Sequence, residues 1–189
     1  MDYRQRLDSI FGSEGYEFYL ESQVSPEASK RIKIAQKLKS DKKLKEAIEE
    51  FLVAVEEVNA IYPDVLFELY TLFISLGKIS DGYYCLLNAK KHISFYEGEK
   101  KNLIDRHCDL FESILKGLYD IQNEQNKFKK GYEQNEIGAT IGFSVTAGVK
   151  RAVVQSLMEE ICKKPYQFPD DKIIEKELKL CHQIKKTFC

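Results

Sequence analysis

The segment from residue 29 to residue 95 repeats its own pattern of small and large side chains at an interval of 35 residues. The equivalent pairs are Leu38 and Phe73, Lys42 and Gly77, Ala47 and Gly82, Phe51 and Leu86, and Ala54 and Ala89. A fixed period of this length is typical of stacked helical hairpins, because one unit cannot bury its own apolar face and the next unit covers it. The pattern therefore predicts two consecutive helical hairpins that lie side by side.

Start and stop signals divide this segment into four helices. Ser25-Pro26-Glu27 combines a capping serine, a proline suited to the first helical position and an acid at the positive helix end. The first helix is expected over about 26 to 40 and the second over about 42 to 61. Pro63 begins the third helix and Ser80 caps the fourth. Almost all of this segment is therefore predicted to be helical.

Small and bulky residues alternate where the two helices of each predicted hairpin face each other. In the first copy these are Ala35, Leu38, Ala47, Phe51 and Ala54, and in the second copy Leu69, Phe73, Gly82, Leu86 and Ala89. Small residues let two helices approach, and bulky residues fill the space between them. This arrangement resembles the tetratricopeptide repeat (TPR) family over about a third of the chain. It departs from the family at Tyr70, where a small residue is preferred, and at Pro63, which comes four residues late.

The resemblance implies an all-α fold, a right-handed stack of antiparallel helix hairpins with C-terminal capping helices. We expect a single helical domain over residues 1–189, in which segment 1–24 docks on the helical body. Residues 25–97 form the two TPR-like hairpins, and residues 98–189 form the capping helices that the open end of a stack requires. A polar stretch rich in Gln, Asn and Lys predicts a loop near 122–137.

Composition and charge exclude several classes of protein. Basic and acidic residues nearly cancel, to a formal net charge of −1, and aromatic residues are only slightly interleaved with the lysine clusters, so no nucleic-acid partner is expected. The chain contains no run of 18 apolar residues and its first residues do not resemble a secretory signal. Five cysteines form no CxxC pair, which favours reduced thiols. We therefore predict a cytoplasmic protein with no integral membrane segment.

The motifs that could carry chemistry are weak. Gly142 and Gly148 enclose five residues instead of the four of a phosphate loop, and no Gly-Lys-Ser or Gly-Lys-Thr follows. The adjacent pairs His107-Cys108 and Cys181-His182 do not have the spacing of zinc ligands, since neighbours on a helix point about 100° apart. We therefore expect no catalytic residue, no metal and no cofactor.

The predicted function is protein–protein interaction. In TPR-like stacks the first helix of each hairpin lines a groove, and by spacing the exposed groove positions are Ile32, Gln36, Lys39, Phe67, Thr71 and Ile74. Family members that clamp a terminal carboxylate use lysine and asparagine there, whereas this groove is more apolar. We therefore expect an apolar ligand, either an amphipathic helix or an extended segment, with the chain's own Tyr16–Leu20 as one candidate.

Three alternatives stay open at this point. The first is a helical enzyme or nucleotide-dependent regulator with a site near His107, Cys108 and the 122–137 loop. The second is a membrane-surface protein that uses the glycine-rich, apolar run 137–149. A homodimer through the glycine-rich helix or the final helix is a further option, because repeat stacks expose apolar ends unless they are capped.

Overall fold

The computed structural model describes residues 2–13, 15–19, 23–133 and 137–188, without the side chains of residues 131, 132 and 137–144. In these ranges it contains eight α-helices and two very short strands. They are α1 (Tyr3–Gly12), β1 (Glu17–Phe18), α2 (Pro26–Ser40), α3 (Leu44–Glu56), β2 (Ala60–Ile61), α4 (Pro63–Ser75), α5 (Ile79–Lys91), α6 (Gly98–Glu133), α7 (Ile137–Cys162) and α8 (Asp171–Phe188), with a 3₁₀ turn at Ile93–Phe95. The prediction of an all-α fold is confirmed.

The four helices of the repeated segment form packed pairs, as predicted. Helix α2 packs on α3, α4 packs on α5, and α3 also contacts α4, so the two pairs are neighbours. Ala35, Ala47 and Ala54 are completely buried, and Ala89 is 1% exposed. The alanines that the sequence analysis assigned to helix contacts therefore lie inside the protein, where a larger side chain would hold the helices apart.

The 35-residue period is also present in the backbone. Helix α3 begins and ends 35 residues before α5 does. The turn before each of these helices contains a residue with positive φ, Lys42 at 61° and its equivalent Gly77 at 73°. One residue later, the Lys43 amide donates a 2.9 Å hydrogen bond to the Leu38 carbonyl, and the Lys78 amide donates a 3.0 Å bond to the Phe73 carbonyl. The two hairpins thus share one turn geometry.

This shared turn leads to a stability prediction at Lys42. A lysine in the left-handed region carries a steric cost that glycine avoids, and the equivalent position already holds glycine. We expect Lys42→Gly to stabilise the protein by roughly 0.5–1 kcal/mol in chemical denaturation, and Gly77→Lys to destabilise it by about 1 kcal/mol. Lys45→Gly is the control, because Lys45 lies inside α3, and it should lower the free energy of unfolding by about 0.5–1 kcal/mol. A Lys42→Gly variant no more stable than the wild type would contradict the equivalence of the two turns.

The chain divides into two compact units, one of residues 1–108 and one of residues 109–189, with the boundary inside α6. The sequence predicts a single domain whose capping part begins at residue 98. The first unit therefore holds both hairpins together with the first turns of α6, and the second unit holds the remainder of α6 with α7 and α8.

The N-terminal segment packs on the hairpins of the first unit. Helix α1 contacts α3 and α5, and it buries Leu7 and Ile10. The Arg6 guanidinium forms two hydrogen bonds to the Glu56 carboxylate, of 2.7 Å and 2.6 Å, and a further short one to Glu49. Strand β1 then pairs in parallel with β2, which places Phe18 opposite Ile61. This segment is thus held by apolar contact, by charge and by backbone pairing.

The docked segment contacts a histidine, which predicts that the stability of the protein depends on pH. The ring of Phe18 stacks on His92 with the centroids 3.7 Å apart. Burial, with a contribution from neighbouring Lys91, holds the pKa of His92 below its usual value. As the pH falls below about 6.5, the unfolded chain takes up this proton before the folded chain does, so stability is lost on acidification.

We therefore expect the wild type to lose stability relative to His92→Gln between pH 7.5 and pH 5, because glutamine does not titrate. Urea denaturation of both proteins at the two pH values measures the difference. If the two proteins differ by the same free energy of unfolding at both pH values, protonation of His92 is not linked to folding.

The second unit differs from the sequence prediction at the polar stretch. Instead of a loop near 122–137, helix α6 continues to Glu133, and residues 134–136 lie outside the described part. The stretch contains no proline and no glycine before Gly131, and Gln, Lys and Glu are good helix formers. Buried Ile121 also continues the apolar side of the helix. High polarity by itself therefore does not end a helix.

Candidate binding groove

An open crevice of about 500 Å³ lies between α2 and α4, the first helices of the two pairs. Its apolar lining consists of Val24, Ile32, Phe51, Tyr62, Val65 and Phe67. Its polar lining consists of Ser29, Lys33, Gln36, Asp64 and Glu68. A volume of this size falls within the range of ligand sites, and the apolar walls with polar edges are typical of them.

The local sequence explains why these side chains share one surface. On α2, Ser29, Ile32, Lys33 and Gln36 follow the i, i+3, i+4, i+7 spacing of one helix face. Three of the four α4 side chains that line the opposite wall, Asp64, Phe67 and Glu68, lie 35 residues after Ser29, Ile32 and Lys33. The groove is therefore a product of the repeat, because equivalent faces of two equivalent helices border it.

Hydrogen bonds hold the N-terminal ends of both walls. The Ser25 hydroxyl oxygen accepts a 3.1 Å bond from the Ala28 amide and caps α2, as predicted. The Ser25 amide in turn donates to the Tyr62 hydroxyl at 3.5 Å. The Tyr96 hydroxyl donates a 2.9 Å bond to the carbonyl of Pro63, the first residue of α4. Burial raises the pKa of Tyr96, so its hydroxyl stays a donor across the physiological range.

The acidic side chains of the groove are already neutralised. Lys39 pairs with Glu68 at 2.5 Å, and Lys100 pairs with both carboxylate oxygens of Asp64 at 2.9 Å. Lys33, in contrast, has no ion-pair partner within the part of the chain that the structure describes. The groove therefore presents one uncompensated positive charge beside its apolar wall.

The structure brings together some of the predicted groove residues and separates others. Ile32, Gln36 and Phe67 line the crevice, and Lys39 lies at its edge through its ion pair with Glu68. Thr71 is half-buried outside the lining, and its hydroxyl donates a 3.0 Å bond to the Glu68 carbonyl of its own helix.

Ile74 corrects the sequence prediction, because it is completely buried and does not face the groove. A Cβ added at Gly82 would lie only 2.7 Å from the Ile74 Cδ1 atom. The absence of a side chain at Gly82 therefore leaves the space that Ile74 fills between α4 and α5. Its equivalent in the first hairpin, Lys39, is instead exposed.

Sequence reasoning missed several lining residues. Ser29 and Lys33 could have been found, because they occupy the same helix face as Ile32 and Gln36. Tyr62 and Val65 gave no comparable signal, since one precedes α4 and the other lies in its first turn. Their place in the groove depends on how the two pairs pack.

Residues 16–19 of the N-terminal aromatic segment do not line the groove. The Glu17 amide donates to the Asn59 carbonyl at 3.3 Å, and the Tyr19 amide donates to the Ile61 carbonyl at 3.1 Å. Among the described residues of the crevice lining, none belongs to 16–19. Leu20, the last residue of the candidate self-ligand, lies outside the described residues. The described part of that segment is therefore used in pairing with β2.

His107 and Cys108 were the centre of the alternative enzymatic site. His107 is buried, and its Nδ1 atom lies 3.2 Å from the hydroxyl of Tyr70. Its ring also packs edge-to-face with Phe67 of the groove lining, with the ring centroids 5.0 Å apart. Cys108 is half-buried and forms no disulfide bond with a described residue. In the described ranges no group of three or more His, Cys, Asp and Glu side chains is arranged to hold a metal ion.

Helix α7 carries the described part of the glycine-rich run. Val145, Val149 and Val153 lie one helical turn apart, and between 56% and 63% of each side chain is exposed. At the crossing of α6 and α7, a Cβ at Gly117 would lie 2.3 Å from the Val154 Cγ2 atom. Among the described residues, no helix combines the length and apolar character needed to cross a membrane.

Comparison with known proteins identified no relative of this chain. No protein-family model matches the chain, and no curated protein or solved structure matches it either. The groove must therefore be interpreted from its own residues and contacts.

Proposed function

We propose that this protein is a non-enzymatic interaction module that binds the apolar side of a peptide or helix in the groove between α2 and α4. The observation that carries the proposal is the open crevice itself, whose half-buried walls Ile32 and Phe67 occupy equivalent positions of two equivalent helices. We also propose that the two hairpins form a right-handed, TPR-like stack, supported by the recurrence of turn and helix bounds after 35 residues.

Burial of apolar surface would supply most of the binding free energy. Each Å² of apolar surface removed from water contributes about 25 cal/mol, before the costs of association are subtracted. The wall is already positioned by Tyr62, Tyr96 and the cap at Ser25, so little ordering would be required of the protein. A preorganised groove of this kind favours an amphipathic helix or an extended segment with regularly spaced apolar side chains.

The test uses a display library of random helical and extended peptides, selected on the purified protein. Peptides that bind the groove should lose affinity about tenfold or more on Ile32→Asn, since an amide placed in an apolar contact costs roughly 1–3 kcal/mol. Ile34→Asn is the matched control, because Ile34 lies on the same helix, is 38% exposed and is not part of the lining.

Two further readouts make the result decisive. Circular dichroism and a melting curve should show that Ile32→Asn is folded, as expected for a half-buried position. Selection of no peptide at all, or of peptides that bind wild type and Ile32→Asn equally well, would refute the groove as the binding site.

A further inference from the structure

We infer that the ligand of the groove is an acidic amphipathic helix, whose carboxylates meet a lysine row on α2 while its apolar side fills the crevice. This inference rests on the proposed function and specifies its partner. The row consists of Lys30, Lys33 and Lys37, spaced i, i+3, i+7 along the helix. All three side chains are exposed, and Lys33 is also part of the crevice lining.

The lysine row is electrically uncompensated. From residue 26 to residue 45 the chain has eight basic and two acidic side chains, although the whole protein has a net charge of −1. Within the described ranges, none of the three lysines has an ion-pair partner. A positive potential therefore extends along one edge of the groove, where it would attract and orient an acidic ligand.

The acidic side chains of α3 and α4 beside α2 include several that are paired with other cations. Glu49 and Glu56 pair with Arg6 of α1, and Glu50 and Glu57 pair with Arg31 on α2. On the opposite wall, Asp64 and Glu68 pair with Lys100 and Lys39. The fold thus assigns partners to these acids and leaves the row exposed beside the apolar wall.

The shape of the groove favours a helix as the occupant. Its walls are faces of two helices, whose side chains form ridges at intervals of three and four residues, and a third helix can place its own ridge between them. Addition of an extended strand needs a free sheet edge. The described strands are only two residues long, pair with each other and lie outside the crevice lining.

Three synthetic helical peptides of about four turns provide the test. They share one stripe of leucine and phenylalanine, and the positions beside the stripe are all glutamate in the first, glutamine in the second and lysine in the third. Fluorescence anisotropy should show binding in the order glutamate, glutamine, lysine. The affinity for the glutamate peptide should fall steeply between about 0.1 M and 1 M NaCl, where the Debye length shrinks from about 10 Å to 3 Å.

A charge reversal then identifies the row. Lys33→Glu should lower the affinity for the glutamate peptide about fivefold to tenfold, because an attraction becomes a repulsion. The same change should raise the affinity for the lysine peptide, because there a repulsion becomes an attraction. Lys45→Glu is the control: Lys45 is exposed on α3, is not part of the lining, and should leave all three affinities within about twofold. Both sites are exposed, so both variants should fold.

The remaining outcomes separate the two proposals. If the three peptides bind with equal affinity and Ile32→Asn abolishes the binding of all three, the ligand is not specifically acidic, but the groove is still the binding site. Binding of none would overturn both. Flotation with phosphatidylserine vesicles that is lost on Lys33→Glu, with no preference for the glutamate peptide, would replace the acidic helix by a lipid surface.

Discussion

Replacement of Arg6 by alanine should destabilise the first unit by roughly 2–4 kcal/mol. The Arg6 side chain is only 10% exposed and forms the two-bond pair with Glu56 in addition to its contact with Glu49. Its removal leaves two carboxylates without their cation and deletes the packing of the aliphatic stem between α1 and α3. The exposure of Glu49 and Glu56 to water limits the loss, because solvent can partly replace the guanidinium.

The matched control for this prediction is Arg31→Ala. Arg31 also pairs with two glutamates, Glu50 and Glu57, but it is far more exposed than Arg6. Ion pairs at the surface contribute little to stability, so this variant should lose much less. Guanidinium chloride denaturation of both variants provides the comparison. Equal losses at positions 6 and 31 would show that the burial of Arg6 does not matter.

A second large effect is expected at Gly82. Glycine inside a helix normally costs about 1 kcal/mol relative to alanine, and the equivalent position of the first hairpin is Ala47. Sequence alone would therefore predict that Gly82→Ala stabilises the protein. In the structure the added Cβ would lie 2.7 Å from Ile74 Cδ1 and 3.1 Å from the carbonyl oxygen of Tyr70. We expect a net destabilisation of roughly 1–2 kcal/mol, because overpacking outweighs the gain in helix propensity.

A double variant tests the cause of this loss. Ile74→Val removes the Cδ1 atom and should cost about 1 kcal/mol by itself. In the Gly82→Ala background the same change should cost less than it does alone, because the 2.7 Å contact to Cδ1 disappears while the 2.9 Å contact to Cγ1 remains. Strictly additive losses in thermal denaturation would mean that the Ile74 Cδ1 atom is not the obstacle, and a stabilising Gly82→Ala would contradict the packing argument altogether.

The groove was partly accessible to sequence reasoning. Three of the residues predicted for the groove, Ile32, Gln36 and Phe67, line the crevice between the first helices, because equivalent faces of repeated helices face similar surroundings. Lys39 lies at the edge of the groove. The prediction was wrong for Ile74, because the equivalence of the two repeats breaks where Gly82 replaces alanine, and the Ile74 side chain fills the space that this glycine leaves.

The sequence alone determined the four helices of the repeated segment and their pairing. Signals such as the cap at Ser25, the proline that begins α4 and the apolar spacing of each helix act over a few residues, so they can be recognised without the fold. The 35-residue period added the packed hairpins, because a repeated face needs a repeated neighbour.

Only the tertiary structure decided which surfaces remained available. Phe18 pairs with Ile61, and Arg6 pairs with Glu56, although the partners are far apart in the sequence. The burial of Ile74 depends on how closely α4 and α5 approach each other. The same holds for Lys33, whose charge stays uncompensated because the neighbouring acids pair with other cations. Local propensity sets the elements, whereas burial and charge compensation depend on contacts that exist only once those elements have packed.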